Sequence, residues 1–386
     1  MSPRPLRVVH LITELDTGGA EQMLHKVTAR MNRKGFRSIV VSMTDRGTLG
    51  AKISAEGIPV FHLGMTLGRP RPSGFLKLYR LIRKARPHIL QTWLYHADLL
   101  GILAGRMARV PKVIWGIRCS EMDLKNYRFL TTLTVRLNAL LSPLADAIIV
   151  NSEEGKRVHE RLGYHPGRMC VIPNGFDTHR FHPDPGARDW LLGVLGLGRE
   201  CVLIGLVARL DPMKDHGTFF RAASIQASRE ANVHFVLVGK GMVRGNTELT
   251  GCLDPNLKGR VHLMGPREDI PRLTSALDIA TNSSAYGEGF SNTIGEAMAC
   301  GVPCVVTAVG DARRIVGDTG IVVAPRDPEA MADAWLRLLE MGRDNRRKLG
   351  ERARKRTLGN YDIEKIVRQF EDLYEAVMAD SIHATH

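Results

Sequence analysis

The sequence predicts an α/β protein made of two successive parallel-sheet domains facing each other across a cleft. Three observations carry that expectation. The chain has 386 residues, more than one hydrophobic core usually organises. Short runs rich in β-branched residues alternate along it with stretches of helical period, the pattern of a parallel sheet covered by helices. The alternation breaks once, around Pro173, Asn174 and Gly175, and then resumes.

The first series places strands at 7–12, 38–43, 59–63, 88–92, 112–116 and 145–151. Helices fall between them, for example one over 20–34 that Gly35 is expected to close as a left-handed cap. Residues 176–188 contain Pro183, Pro185 and Gly186 with little periodicity and read as a linker. The second series places strands at 201–207, 233–238, 260–263, 279–282, 304–307 and 320–323. Domains of 1–180 and 187–360 follow. A last helix, within 361–380, can pack on either domain. Ligands of open parallel sheets bind beyond the carboxyl ends of the strands, which is why the cleft is expected between the two sheets.

Composition adds exclusions. With 44% hydrophobic and 24% charged residues and no low-complexity tract, the chain is globular, not disordered. The apolar run 8–12 is too short for a signal-peptide core, and no stretch approaches the roughly 20 apolar residues that span a bilayer. A cytoplasmic protein is expected, with the inner face of the membrane as its alternative location. The six cysteines form no C-x-x-C pair, so reduced thiols are expected, without zinc or disulfides. The net charge of +14 comes entirely from the first half: residues 1–190 hold 29 Lys and Arg against 15 Asp and Glu, whereas 191–386 hold 25 of each. Such a field favours an anionic partner, whether nucleic acid, an acidic membrane or a phosphate-bearing substrate; a merely soluble basic face is the plain alternative.

The most specific motif is 287–303, GEGFSNTIGEAMACGVP. It follows a strand, enters a helix with Ser291 and Asn292 as plausible caps, and ends in Gly301 before the next strand. Backbone N–H groups at such a helix start form an anion site. Glu296, about one turn inside, is placed to accept hydrogen bonds from vicinal hydroxyls such as those of a ribose, and Glu288 in the loop can reach a sugar hydroxyl. Arg209 and Lys214 follow the first strand of the second series; a guanidinium and an ammonium there suit a diphosphate whose charge grows as a bond to it breaks. No two aspartates are separated by two positions, so no D-x-D arrangement exists to hold a cation, and the neutralising charge must come from protein. No cofactor or metal is expected.

In the first half, Gly18 and Gly19 open a helix after a strand, where glycine lets backbone approach a ligand closely. His96 lies just beyond another strand and can hydrogen-bond a hydroxyl. Trp93, Tyr95, Trp115 and Arg118 sit near the same rim, either as a stacking surface for a sugar ring or, for the tryptophans, as core. Residues 125–141 read as a basic amphipathic helix with Arg128 and Arg136. It either lies on an anionic bilayer or packs inward with a wet basic edge.

With these motifs in hand, the chain resembles glycosyltransferase family 4, the retaining GT-B transferases also called group 1. Glu288 and Glu296 match that family's E-x7-E motif, and the likeness extends through 205–215, 236–241 and 318–320. The resemblance implies two Rossmann-like domains, with the acceptor on the first and a nucleotide diphosphate sugar mainly on the second. It implies transfer with retention to a saccharide or lipid-linked acceptor. Arg209, Lys214, Glu288 and His96 are then the catalytic candidates. Gly18, Gly19, Gly239, Gly241, Phe290, Ser291, Asn292, Thr293 and Glu296 join Arg209, Lys214 and Glu288 in donor binding, and Trp93, Tyr95 and Arg118 face the acceptor. Ser291 and Ala208 stand where many relatives carry glycine, a departure that touches the sugar subsite. The rivals are an epimerase or hydrolase of the same architecture, a dinucleotide oxidoreductase, and a nucleic-acid-binding protein. The oxidoreductase is disfavoured because Gly239, Gly241 and Gly245 miss the G-x-G-x-x-G spacing. No nucleic-acid-binding signature supports the last.

Overall fold

The computed structural model describes residues 5–16, 18–66, 72–119, 129–246, 249 and 253–383. The chain forms two compact units. One takes Met1–Gly175 together with Ile363–His386, and the other takes Phe176–Asp362.

The first unit carries a parallel sheet of β1 (Leu6–Ile12), β2 (Phe36–Ser42), β3 (Val60–His62), β4 (Ile89–Trp93), β5 (Lys112–Ile117), β6 (Ala147–Val150) and β7 (Met169–Val171), in spatial order β3-β2-β1-β4-β5-β6-β7. Helices α1 (Gly19–Arg30), α2 (Gly47–Ala55), α3 (Pro72–Ala85), α4 (Tyr95–Met107), α5 (Phe129–Leu141) and α6 (Glu153–Arg161) connect its strands. The strands are apolar on both sides: β1 buries Val8, Val9, Leu11 and Ile12 completely, as strands sandwiched between helix layers do. Two details differ from the sequence expectations. Helix α1 ends at Arg30, and Gly35 is not left-handed; it sits in a turn, its N–H on the Asn32 carbonyl, and its own carbonyl accepts from Leu6 at the start of β1. The edge strand β7, three residues long, was not expected from the sequence.

The second unit carries β8 (Val202–Val207), β9 (Val233–Val238), β10 (Val261–Leu263), β11 (Ile279–Asn282), β12 (Cys304–Thr307) and β13 (Gly320–Val323), in order β10-β9-β8-β11-β12-β13, all parallel. Helix α7 (Ala187–Leu195) precedes β8, and α8 (His216–Arg229) follows it. The segment expected to be a linker is built into this unit. Phe176 and Phe181 are buried in its core, with Phe176 stacked on Phe290 at 6.0 Å and edge-on to Tyr361 at 6.3 Å. Proline and glycine in this stretch shape a packed path.

The terminal helix, Ile363–His383, belongs to the first unit. Its Ile363, Ile366, Val367, Phe370, Tyr374 and Val377 join the core layer of β1, α1 and Trp93. Phe370 stacks on Trp93 at 5.9 Å, and Tyr374 lies edge-on to Phe36 at 6.1 Å.

Candidate active site

In each sheet the strand order reverses direction once, between β1 and β4 in the first unit and between β8 and β11 in the second. Loops leaving the carboxyl ends of two such strands diverge to opposite faces and leave a crevice, the usual ligand position in open parallel sheets. Most of the candidate residues fall on or just after those loops, whereas Gly239 and Gly241 follow β9 and Arg118 follows β5.

After β8 the chain passes Arg209 and is then fixed by two aspartates. Asp211 caps a short 3-10 turn, Pro212–Lys214, accepting from the Met213 N–H at 3.0 Å. Asp215, in a left-handed conformation at φ 45°, caps α8 by accepting from the Thr218 N–H at 3.0 Å and its hydroxyl at 2.7 Å. Between the caps Lys214 is held with its ammonium pointing at the β11 loop, and its carbonyl accepts from Ser283 at 2.7 Å.

The β11 loop supplies Glu288. Its Oε1 receives Lys214 Nζ at 2.6 Å. Its Oε2 accepts from Asn282 Nδ2 at 3.3 Å and from the Ser284 hydroxyl. Burial alone would raise this carboxyl. The Lys214 ammonium and the donors from Lys214, Ser284 and Asn282 outweigh it and hold the group below the usual glutamate range. Glu288 is therefore an anchored carboxylate. The loop's path depends on Gly310, whose φ is +54° and whose missing Cβ would stand 1.9 Å from the Glu288 carbonyl oxygen.

The motif helix is Asn292–Ala299. Ser291 occupies its N-cap position but makes no cap hydrogen bond; its hydroxyl receives Asn282 Nδ2 at 3.1 Å and lies 3.3 Å from the Thr293 hydroxyl. Asn292 is the first helical residue, not a cap. The first N–H groups of any helix lack intrahelical partners, and the helix dipole puts partial positive charge at this end. Glu296 is half-buried one turn in, and Phe290 is packed inside. Gly239, at φ +147°, lets the β9 loop touch the β8 loop: a Cβ there would meet the Ala208 carbonyl oxygen at 2.1 Å. Gly241, at φ +89°, packs on Leu210. Arg209 is exposed and forks onto Asp211 Oδ2 at 2.8 and 3.0 Å, so it does not share the Lys214–Glu288 cluster.

In the first unit, β1 and β4 are paired neighbours, Ile12 opposite Trp93, so the loops bearing Gly18 and His96 leave adjacent strand ends. Gly18 and Gly19 lead into α1, and the Glu21 carboxylate folds back over Gly18. Burial, with the charges of Asp16 and Asp45 around Glu14 and of Glu14 and Asp16 around Glu21, raises both glutamates. His96 is half-buried at the start of α4, and burial lowers its pKa, so the ring is neutral. Leu94, just before it, has φ +74°, a strained value for a branched side chain that re-aims the chain from β4 into α4.

The aromatic rim is not a stacking platform. Trp93 and Trp115 are fully buried, Trp93 against Phe370 and Trp115 edge-on to Tyr164 at 6.4 Å. Tyr95 stacks on His159, with its hydroxyl 2.7 Å from His159 Nε2. Arg118 covers the Trp93 ring at 4.5 Å and donates to Asn174 at 3.3 Å. Both β4 and β5 run through the sheet centre, where each face is covered, so neither tryptophan can offer a face to an acceptor. Residues outside the motif also shape the site. Asn282, Ser284 and Gly310 support Glu288, and of these Gly310 was signalled by its place after a β-strand. Asp98, fully buried, accepts the Thr92 hydroxyl at 2.5 Å and is raised by burial to about 8. Among the described residues no three His, Cys, Asp or Glu side chains converge as a metal-ligating group.

Two family models match the chain, Glycosyltransferase Family 4 over residues 17–180 and Glycosyl transferases group 1 over 201–341. The chain is 27% identical over 304 residues, 78% of each protein, to the Escherichia coli UDP-Gal:alpha-D-GlcNAc-diphosphoundecaprenol alpha-1,3-galactosyltransferase. It is 31% identical over 255 residues to D-inositol 3-phosphate glycosyltransferase of Salinispora tropica, covering 61% of this chain and 52% of that one. The crystal structure of Anabaena HepE in complex with UDP superposes with a TM-score of 0.84 at 22% identity, over 96% of this chain and all of the other. The two sheets, the switch-point loops and these matches together make the chain a member of the group 1, family 4 glycosyltransferases with the GT-B fold.

Proposed function

We propose that this glycosyltransferase takes its sugar from a uridine diphosphate sugar and passes it, with retention of configuration and without a metal ion, to a saccharide acceptor carried on a lipid diphosphate. The observation that carries this is the largely shielded Lys214–Glu288 pair beside the amino-terminal start of the motif helix. In the proposed reaction the bond between the anomeric carbon and the diphosphate oxygen breaks. The electron pair leaves with the diphosphate, whose growing charge meets Lys214, Arg209 and the N–H groups of Ser291, Asn292 and Thr293. The acceptor hydroxyl attacks from the same face, and its proton passes to a departing phosphate oxygen. Glu288 accepts hydrogen bonds from the donor sugar and Glu296 from the ribose, while Gly239 and Gly241 let the β9 loop close on the β8 loop that carries Arg209.

On the first unit, neutral His96 serves the sugar as a hydroxyl partner. The carboxylates around Gly18 and Gly19 suit hydroxyl groups better than phosphate, so this loop is assigned to the sugar end of the donor. The E. coli relative named for a UDP-galactose donor and a diphosphoundecaprenol-linked acceptor supports the choice of both substrates. The membrane-bound pathway implied is the assembly of a cell-surface polysaccharide.

A thermal-shift screen of nucleotide sugars, followed by transfer assays with and without a chelator, tests the proposal. Stabilisation by a uridine diphosphate sugar and turnover insensitive to the chelator are expected. Turnover abolished by the chelator and restored by a divalent cation would remove the metal-free mechanism, and stabilisation by another nucleotide alone would remove the donor.

A further inference from the structure

Helix α5 is turned inside out. Toward α4 and the core it places Thr134, Val135, Asn138 and Ala139, all buried, with Asn138 Nδ2 donating to the Tyr95 carbonyl at 2.8 Å. Toward solvent it places Phe129, Leu130, Leu133, Leu137 and Leu140, with Phe129 exposed at 78% and Leu140 at 75%. An amphipathic helix on a soluble protein does the reverse, burying its apolar stripe. The patch continues onto α4. Arg106 there donates to the carbonyl of Leu144, itself exposed, and the neighbouring Met107 is exposed at 61%. Contiguous apolar surface of this kind marks a site of contact with something apolar.

Its charge setting selects the partner. From residue 99 to residue 146 the sequence has seven Lys and Arg and three acidic residues; Asp146 pairs with Arg106 at 3.3 Å and with Lys112 at 3.6 Å, while Arg109 and Arg136 are exposed on the described part. Residues 129–145 contain no acidic residue at all. A second copy of the chain would bring arginine against arginine. An anionic lipid surface instead neutralises them while its acyl region accepts the leucines, the arrangement of helices that lie in a membrane interface. No helix among the described residues is long and apolar enough to cross a membrane.

We propose that the outer face of α5, extended by the end of α4, docks the first unit onto an anionic bilayer. The leucines and Phe129 enter the headgroup boundary, and Arg109 and Arg136 reach lipid phosphates. This docking is independent of the transfer reaction and rests on different residues.

Vesicle flotation of the full chain tests it, using phosphatidylcholine alone and phosphatidylcholine with phosphatidylglycerol in a roughly 2:1 ratio, at low salt and at about 0.5 M salt. The protein should float with the phosphatidylglycerol vesicles at low salt only. The pair Leu133→Gln with Leu137→Gln should abolish flotation while leaving circular dichroism and melting unchanged. Arg136→Glu, which leaves the apolar face intact and so guards against misfolding of the first variant, should weaken vesicle binding about tenfold. No flotation at low salt, or equal flotation of the wild type and all variants, would overturn the proposal. So would a dimer in sedimentation velocity that the two glutamines dissolve, because it would give this face to a second copy.

Discussion

Lys214 Nζ lies 2.6 Å from Glu288 Oε1 across 74 positions of sequence, and both side chains are mostly shielded from water. The two residues come from the loops after β8 and β11, where the strand order of the second sheet reverses. Removing Lys214 leaves a largely shielded carboxylate without its cation, which costs up to about 3–5 kcal/mol. Lys214→Met should therefore lower the melting temperature as well as turnover, by about 100-fold or more in kcat. Glu288→Gln keeps the shape and removes the charge, so it should lose turnover with a smaller thermal effect. Melting curves and single-turnover rates of both variants check this; a Lys214→Met enzyme with full turnover would remove Lys214 from the mechanism.

Arg209 is a different kind of residue. It is exposed, and its fork onto Asp211 is a surface ion pair, worth no more than about 1 kcal/mol of stability. Arg209→Ala should leave the urea midpoint nearly unchanged and raise the donor KM by roughly tenfold to 100-fold, the worth of one charge-assisted hydrogen bond. Titration of donor against both proteins by calorimetry gives the comparison.

Gly310 shapes the Glu288 loop from outside the motif. In Gly310→Ala the new methyl would meet the Glu288 carbonyl at 1.9 Å, on top of about 1–2 kcal/mol for a left-handed backbone. Gly342 is also left-handed, at φ +76°, but has nothing within 4 Å of its missing Cβ. Gly342→Ala should carry only the backbone cost and keep its activity, whereas Gly310→Ala should lose turnover. Equal activities in the two variants would argue against a shaping role for Gly310.

Stability should peak near pH 6.5. Burial lowers His10 to about 3, His159 to about 4 and His216 to about 4 from a usual 6.5. Between pH 6.5 and 4 the unfolded chain binds protons at these sites and the native chain does not, so stability falls as the pH drops through that window. Asp98 has the opposite sign. Burial raises it from 3.8 to about 8, so the native chain keeps a proton that the unfolded chain has released, and stability falls as pH rises through that range. Together with His262, also lowered to about 4, these histidines outweigh the aspartate below pH 6.5, and above it the pull of Asp98 takes over as the unfolded histidines release their protons. Urea midpoints from pH 4 to pH 8 should trace the maximum, and Asp98→Asn should flatten its alkaline side.

Some of this was legible in the residues and some was not, for physical reasons. The strands at Val233–Val238, Ile279–Asn282, Cys304–Thr307 and Gly320–Val323 stand out because each is a short apolar run closed by a turn residue. Glu288, Glu296 and Lys214 were visible as motif positions. The partners Asn282 and Ser284 were not, since nothing in sequence says which donors a loop will fold toward one carboxylate. Trp93 and Trp115 could not be assigned to rim or core, because a strand covered on both faces carries no alternation to read. For α5 the periodicity gives an apolar stripe but not the direction it faces, and the direction is the surprising part. Phe176 and Phe181 were hidden among prolines and glycine that suggested a loose connection.

The terminal helix gives the first unit a seam between the two ends of the chain. During synthesis, β1 to β7 emerge long before Phe370 and Tyr374, so Trp93 and Phe36 wait without the rings that later cover them. The amino-terminal half is therefore the first made and the last finished, and whatever shields those aromatic surfaces on the ribosome bears on the yield of active enzyme.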